Sequence, residues 1–184
     1  MGYPRGCIVP ALAVLSLGVT AAGCSSSQDK SPQGSLSVRF VPSRPFRAGE
    51  PSADVITAKV TISAIEARKA DGSWVSGEST SATTFNLVTL GSEGVILPAH
   101  LLPEGQYGAL QLRFSRVALS LSDGEHLELV SSATGWEELI PADFTVVGDR
   151  ATSLALKVEP GGWLHLDGGQ IEFDPDIQFE GILR

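Results

Sequence analysis

Cysteine is scarce in this chain of 184 residues, which contains only Cys7 and Cys24. Cys7 lies in an apolar N-terminal segment that we expect to be removed, so a disulfide between the two would require that segment to be retained. We therefore expect no disulfide, and the fold has to rest on its hydrophobic core. A structural zinc site needs four Cys or His ligands. The chain after that segment offers just His100, His126, His165 and Cys24, and Cys24 has another predicted role.

Basic side chains and long apolar runs are also scarce. Lys and Arg number 13 against 21 Asp and Glu, which gives a formal net charge of −8 at pH 7. Binding to nucleic acid requires clustered Lys and Arg that displace counterions, so we expect no nucleic-acid partner. The N-terminal apolar run, residues 7–19, contains Pro10 and covers about thirteen residues, whereas a transmembrane helix needs about 20. We expect no membrane-spanning helix there.

The N-terminus instead has the three parts of a secretory signal peptide. Arg5 supplies positive charge, the apolar run follows, and the small residues Ala22 and Gly23 end it. This layout predicts that residues 1–23 are removed during export.

The end of this segment, AAGC, resembles the lipobox of bacterial lipoproteins, in which an acylated Cys becomes the first residue of the mature chain. Ala22, Gly23 and Cys24 match that pattern, whereas Ala21 stands where Leu is usual. The resemblance implies lipidation of Cys24 and a membrane anchor made of more than one acyl chain. Ser25 follows the Cys in place of Asp and favours the outer membrane. The alternative is an ordinary signal-peptidase site, which would release a free secreted domain.

The chain after Cys24 divides into a polar segment and an apolar-rich one. Residues 25–34, SSSQDKSPQG, carry no large apolar side chain, so residues 24–34 are predicted to form a flexible tether. The remaining residues, 35–184, are enough for one globular domain.

Period-two alternation of apolar and polar residues runs through this domain and is typical of strands with one buried face. The positions predicted to be buried share a parity within each segment: Leu36, Val38 and Phe40; Ile56, Val60 and Ile62; Leu154, Leu156 and Val158. Frequent turn signals separate the segments and favour seven to nine short strands. The predicted fold is all-β, a single antiparallel β-sandwich of transthyretin- or immunoglobulin-like type.

Local signals refine this prediction. Asp71-Gly72 and Asp123-Gly124 are dipeptides that suit two-residue hairpins. The apolar parity changes in the middle of QYGALQLRFSRVALSLSDG, which predicts a β-bulge, or a corner between sheets, near Ser115 and Arg116. A proline suited to a first helical turn predicts a short helix over residues 97–102.

The order of several segments resembles a family of bacterial and archaeal lipoproteins, the domain-of-unknown-function 4382 family. The segments concerned are VTISAIEAR, DGSW, FNLVTL, LLPEGQYGALQLRFSRVAL, SLALKVEP and FDPDIQFEGI. The most specific is LPEGQYGALQLRF, which is similar to the family's Leu-Pro-x-Gly-x-Tyr turn leading into a strand. The resemblance implies a β-sandwich and an envelope location, and it brings no activity or catalytic residues.

Motifs for catalysis are lacking. The sequence has no G-x-S-x-G, no H-E-x-x-H and no phosphate-binding G-x-x-x-x-G-K-[ST], so we expect a non-enzymatic protein without a cofactor. One acidic stretch, DGGQIEFDPD, can offer Ca²⁺ the oxygen ligands of Asp167, Asp174 and Asp176. Its spacing matches no known calcium loop, which favours the alternative of solvated carboxylates in a hairpin.

Aromatic residues offer a second candidate site. Trp74, Trp136 and Trp163 lie near predicted turns, where exposed indoles can stack on sugars. The alternative, which we favour, is that each indole packs against the core with its N–H paired. The predicted function is that of a lipid-anchored envelope lipoprotein with a non-enzymatic binding or structural domain. A carbohydrate-binding or adhesin-like surface module is the alternative.

Overall fold

The computed structural model of the chain describes residues 31–44, 46, 55–77, 82–131, 135–167 and 170–183, without the side chains of residues 166–171. The predicted signal peptide, Cys24 and residues 25–30 of the predicted tether lie outside this part. The described elements are β1 (Gln33–Pro42), β2 (Val55–Lys69), β3 (Trp74–Ser76), β4 (Thr83–Asn86), β5 (Val95–Ile96), β6 (His100–Pro103), β7 (Gly105–Leu121), β8 (His126–Val130), β9 (Trp136–Val146), β10 (Ala151–Val158), a 3-10 turn (Pro160–Gly162), β11 (Leu164–Asp167), β12 (Gln170–Phe173) and β13 (Ile177–Leu183).

These strands form two larger sheets and one hairpin. Sheet I contains β1, β5, β6, β10 and β13, sheet II contains β2, β3, β4, β7, β8 and β9, and β11 pairs with β12. The described strands pair antiparallel except β1 and β10, which run parallel. The predicted all-β class is confirmed. The prediction was of antiparallel strands only, and the parallel pair of β1 and β10 differs from it. Parallel neighbours need a long crossover, which the chain between β1 and β10 supplies.

Buried side chains of sheets I and II form one hydrophobic cluster. Leu36, Val38 and Phe40 of β1 are fully buried, as their alternation predicted. Trp163, just after the 3-10 turn, lies at the centre of a group of edge-on aromatic rings, with centroid distances of 6.1, 6.4, 5.8 and 6.0 Å to Phe40, Phe85, Phe114 and Phe173. Because Phe40 belongs to sheet I and Phe85 to sheet II, this aromatic group connects the two sheets.

The alternation in β2 fails at one predicted core position, Ile56. Val60 and Ile62 are buried as predicted, whereas Ile56 is 57% exposed and Val55 is buried in its place. The pairing of β2 with β7 skips Ile56, since Val55 pairs with Leu121 and the next pair is formed by Thr57. An extra residue reverses the side-chain parity, so Ile56 points outward.

The predicted β-bulge in the long strand is confirmed in β7. Phe114 pairs with Ile62 and Arg116 pairs with Thr61, which leaves Ser115 without a partner on β2. The extra residue keeps both Phe114 and Val117 buried despite their opposite parity. The alternative of a corner between sheets is wrong, because both halves of β7 stay paired with β2. The bulge instead marks the position where the neighbour on the other edge changes from β9 to β8.

The two Asp-Gly turns connect paired strands, β2 to β3 and β7 to β8. Each loop has three residues, one more than the predicted two-residue hairpin loop. Around Asp71-Gly72, the Lys69 amide donates to Ser73 O and the Gly72 amide donates to Lys69 O. Gly72 has a φ of 87°, which only glycine adopts readily. This is the three-residue loop in which a type I turn is followed by a left-handed glycine. Asp123-Gly124 repeats the same pattern, with Gly124 at 88°.

The predicted helix over residues 97–102 is wrong. Residues 100–103 form β6, which pairs with the first residues of β1. The edge of β1 supplies hydrogen-bond partners that a single helical turn lacks, and isolated short helices are unstable. After β6, the hydroxyl of buried Tyr107 donates to Pro103 O at 2.6 Å. This bond resembles the tyrosine corner of β-sandwich domains and fixes the passage from sheet I to sheet II.

Candidate functional site

The three tryptophans do not form a common platform. Trp163 is fully buried, and its Nε1 donates to Asp176 O at 3.1 Å, so it has the core role favoured above and not the exposed position that stacking on a sugar requires. Trp136 is partly buried and packs edge-on against Phe173, with ring centroids 5.3 Å apart. Trp74 alone among them is exposed, at 43%. The candidate site therefore narrows to the surroundings of Trp74.

Trp74 stands on the outer face of sheet II. The turn at Asp71-Gly72 folds β3 back onto β2 and pairs Trp74 with Arg68. The guanidinium carbon of Arg68 lies 5.7 Å from the centroid of the indole, within the range of a cation–π contact. This contact favours one orientation of the exposed indole over Arg68.

Polar side chains continue this outer face across β2, β7 and β9. Arg113 Nη2 lies 3.4 Å from Glu66 Oε2 and 2.9 Å from Glu137 Oε1. Gln111 Nε2 donates to Glu137 Oε2 at 2.7 Å, and Ser76 Oγ donates to Glu66 Oε1 at 2.7 Å. Such a network fixes donors and acceptors at set positions on the sheet. We define the Trp74 patch as Trp74, Arg68, Glu66, Gln111, Arg113 and Glu137.

The acidic candidates are only partly described. Asp174 and Asp176 are exposed between β12 and β13, and the side chain of Asp167 lies outside the described part. Within the described residues, no group of three or more His, Cys, Asp or Glu side chains is placed to hold a metal ion. The main-chain oxygen of Asp176 accepts the Trp163 N–H instead. These residues therefore give no support to a calcium site.

The pKa values of two residues, Glu138 and His100, are shifted by burial, and this was not predicted from the sequence. Glu138 lies on the partly buried face of β9, where burial, and then the charges of Asp176 and Asp174, raise the pKa of its carboxyl. Because Glu138 alternates with Trp136 and Ile140, the sequence could have indicated that its side chain lies on the inner face of the strand. His100 is 6% exposed in β6, and burial lowers the pKa of its imidazole. Nothing local in the sequence indicated that, because its burial depends on contacts between the two sheets.

The described residues contain no helix that is long and apolar enough to span a membrane. No family model, no curated protein and no solved structure matches this chain.

Proposed function

We propose that the protein is a lipid-anchored envelope lipoprotein whose domain is a non-enzymatic binding module. The single observation that carries the binding role is the Trp74 patch: an exposed indole, in contact with Arg68, beside a fixed polar network. Trp and Arg are enriched among the residues that contribute most of the binding energy at protein interfaces. The outer face of sheet II is therefore the proposed binding surface.

The anchor is proposed on the sequence alone. The signal-peptide layout ends in AAGC, and its removal leaves Cys24 as the sole thiol of the mature chain. A thioether-linked lipid at that position would use this thiol, and several acyl chains give stable membrane association without a spanning helix. The outer membrane is the proposed location, because Ser25 rather than Asp follows the Cys.

We propose that the domain is a β-sandwich of transthyretin- or immunoglobulin-like type. Support comes from the shared core of sheets I and II and from the Tyr107–Pro103 bond at the crossover. The resemblance to the domain-of-unknown-function 4382 family implies the same architecture, and membership in that family is part of this proposal.

Labelling with a fatty-acid analogue in cells that express the full chain tests the anchor. The unmodified chain and Cys7→Ser are expected to incorporate the label, and Cys24→Ser is expected to incorporate none. Equal labelling of all three would show that Cys24 is not the lipid attachment point.

A carbohydrate-binding role is the second candidate, favoured by the exposed indole of Trp74. Sugars present C–H faces that stack on indole rings, and their hydroxyls pair with carboxylates and amides such as those of Glu66 and Gln111. A glycan array with the purified full chain tests this role. Trp74→Ala is expected to lose any signal, whereas Ile182→Ala, which removes a side chain of similar exposure from sheet I, is expected to keep it. An array without signal for the unmodified chain would contradict the carbohydrate-binding role.

A further inference from the structure

A second site lies at the edge of sheet II, next to the outer face that carries the Trp74 patch. In the described part, β3 pairs with residues 66–68 of β2 and β4 pairs with residues 59–62 of the same edge. Residues 63–65 lie between these two short strands. A cavity of about 100 Å³ opens there, with Leu97 and His100 of the sheet I side in its wall.

His100 gives this cavity its chemistry. The residue is 6% exposed, and its Nδ1 has no hydrogen-bond partner among the described residues. A buried polar nitrogen without a partner is destabilising, and natural proteins rarely retain one without a use. Burial lowers the pKa of His100, and the nearby backbone of Gly77 opposes this shift only in part. The lowered pKa favours the neutral imidazole, and a neutral imidazole has one ring nitrogen that accepts a hydrogen bond.

The lack of a side chain at Gly77 makes room for the imidazole of His100. A Cβ at this position would lie 2.7 Å from the His100 Cβ and 3.0 Å from its Nδ1. A real side chain does not tolerate these distances. The glycine thus lets the backbone after β3 approach the imidazole and complete the wall.

The remaining lining selects the class of ligand. Among the described residues it combines apolar groups, including Ile62 and Leu97, with the hydroxyl of Thr83, and this part of the lining includes no Asp, Glu, Lys or Arg. A charged ligand would lose its hydration without gaining an opposite charge, which is costly. A purely apolar ligand would leave the imidazole unpaired.

We propose that this cavity, the His100 pocket, binds a small uncharged ligand that has an apolar body and a hydroxyl group paired with the imidazole of His100. The volume limits the bound part to a few heavy atoms, so an alcohol or the terminal group of a larger amphiphile fits. None of the six residues of the Trp74 patch lines this cavity, so failure of the pocket proposal would leave the proposals for the patch and the anchor standing.

Nuclear magnetic resonance of ¹⁵N-labelled imidazoles in the purified full chain tests the proposal, with 2-propanol as the hydroxyl probe and xenon as the apolar probe. His126, exposed on β8, is the internal control. The ring nitrogens of His100 are expected to shift saturably with 2-propanol, whereas those of His126 drift linearly. Binding free energy does not exceed about 1.5 kcal/mol per heavy atom, so the Kd of 2-propanol is expected to be about tens of micromolar or weaker.

Two variants separate the site from a general solvent effect. His100→Leu removes the acceptor and is expected to weaken the binding of 2-propanol about tenfold, which is the factor for loss of one hydrogen bond to a buried group. Because this variant lacks the reporting imidazole, its binding is followed by saturation-transfer signals of the alcohol, measured in the same way on the unmodified chain. Ala64→Leu fills the cavity from β2 and is expected to abolish saturation while the control signal of His126 is unchanged. Saturation by xenon without saturation by 2-propanol, or identical linear drifts at His100 and His126, would overturn the proposal. Both of these contradicting results are measured on the unmodified chain, so they remain decisive even if a variant does not fold.

Discussion

Replacing Trp163 by phenylalanine removes one hydrogen bond and part of an aromatic ring from the centre of the core. The indole is fully buried, contacts four phenylalanine rings, and donates to Asp176 O at 3.1 Å. Loss of the donor is expected to cost about 0.5–1.5 kcal/mol, the net value of a typical hydrogen bond, because the bond to Asp176 O is only partly buried. Trp163→Ala adds a cavity and is expected to cost about 3–5 kcal/mol, a total that already includes the lost contacts with neighbouring rings.

Urea unfolding of the full chain, followed by far-ultraviolet circular dichroism, measures these losses. Trp74→Phe is the matched control, because that indole is exposed, and its cost is expected to stay below about 0.5 kcal/mol. Since small domains have a total stability of about 5–15 kcal/mol, Trp163→Ala is expected to leave a chain that is barely folded. The reasoning is refuted if Trp163→Phe lowers the free energy of unfolding no more than Trp74→Phe does.

Three further substitutions have expected outcomes in the same assay. Glu138→Gln is expected to raise stability at pH 7, because burial and two nearby carboxylates raise the pKa of Glu138 in the folded chain; this advantage should vanish as pH falls below the carboxyl's ordinary value of 4.5. Tyr107→Phe deletes the 2.6 Å bond to a main-chain oxygen and should cost about 1–2 kcal/mol. Gly94→Ala should cost at least about 2 kcal/mol, because φ is 69° and a Cβ would overlap the Phe40 carbonyl.

Each of these has a result that contradicts it. A Glu138→Gln variant that is less stable than the parent at pH 7 would mean that the carboxylate is stabilised by its surroundings. An unchanged midpoint for Tyr107→Phe would mean that the crossover does not depend on its hydroxyl. Gly72→Ala is the control for Gly94→Ala, since φ is similarly positive there but no atom lies within 4 Å of the added Cβ; equal costs for both would show that only the backbone conformation matters.

Short-range patterns predicted much of the fold. Alternation identified the buried faces of β1 and β10, because a sheet with one buried face imposes that period on its own sequence. The parity change at Ser115 located a bulge, since an extra residue in one strand reverses the side-chain pattern in the sequence itself. The same rule gave a wrong answer at Ile56, where the bulge lies next to the strand end and too few residues precede it to reveal the change.

Features that depend on distant partners were not predictable in this way. The parallel pairing of β1 with β10 joins residues more than a hundred positions apart, such as Ser35 and Ala151. The burial of His100 depends on contacts between the two sheets. The helix predicted over residues 97–102 is wrong because these residues reach the edge of β1, where residues 100–103 pair as a strand. Among the tryptophans, the turn signals were similar, and only tertiary packing made Trp163 the centre of the core and left Trp74 exposed.

Mass spectrometry of the N-terminal peptide of the protein purified from its native membrane tests the central claim most directly. The account predicts a mature chain that begins at Cys24 and carries acyl groups whose combined mass exceeds that of one fatty acid. A mature chain that begins at another residue, or at Cys24 with a free thiol, would contradict it.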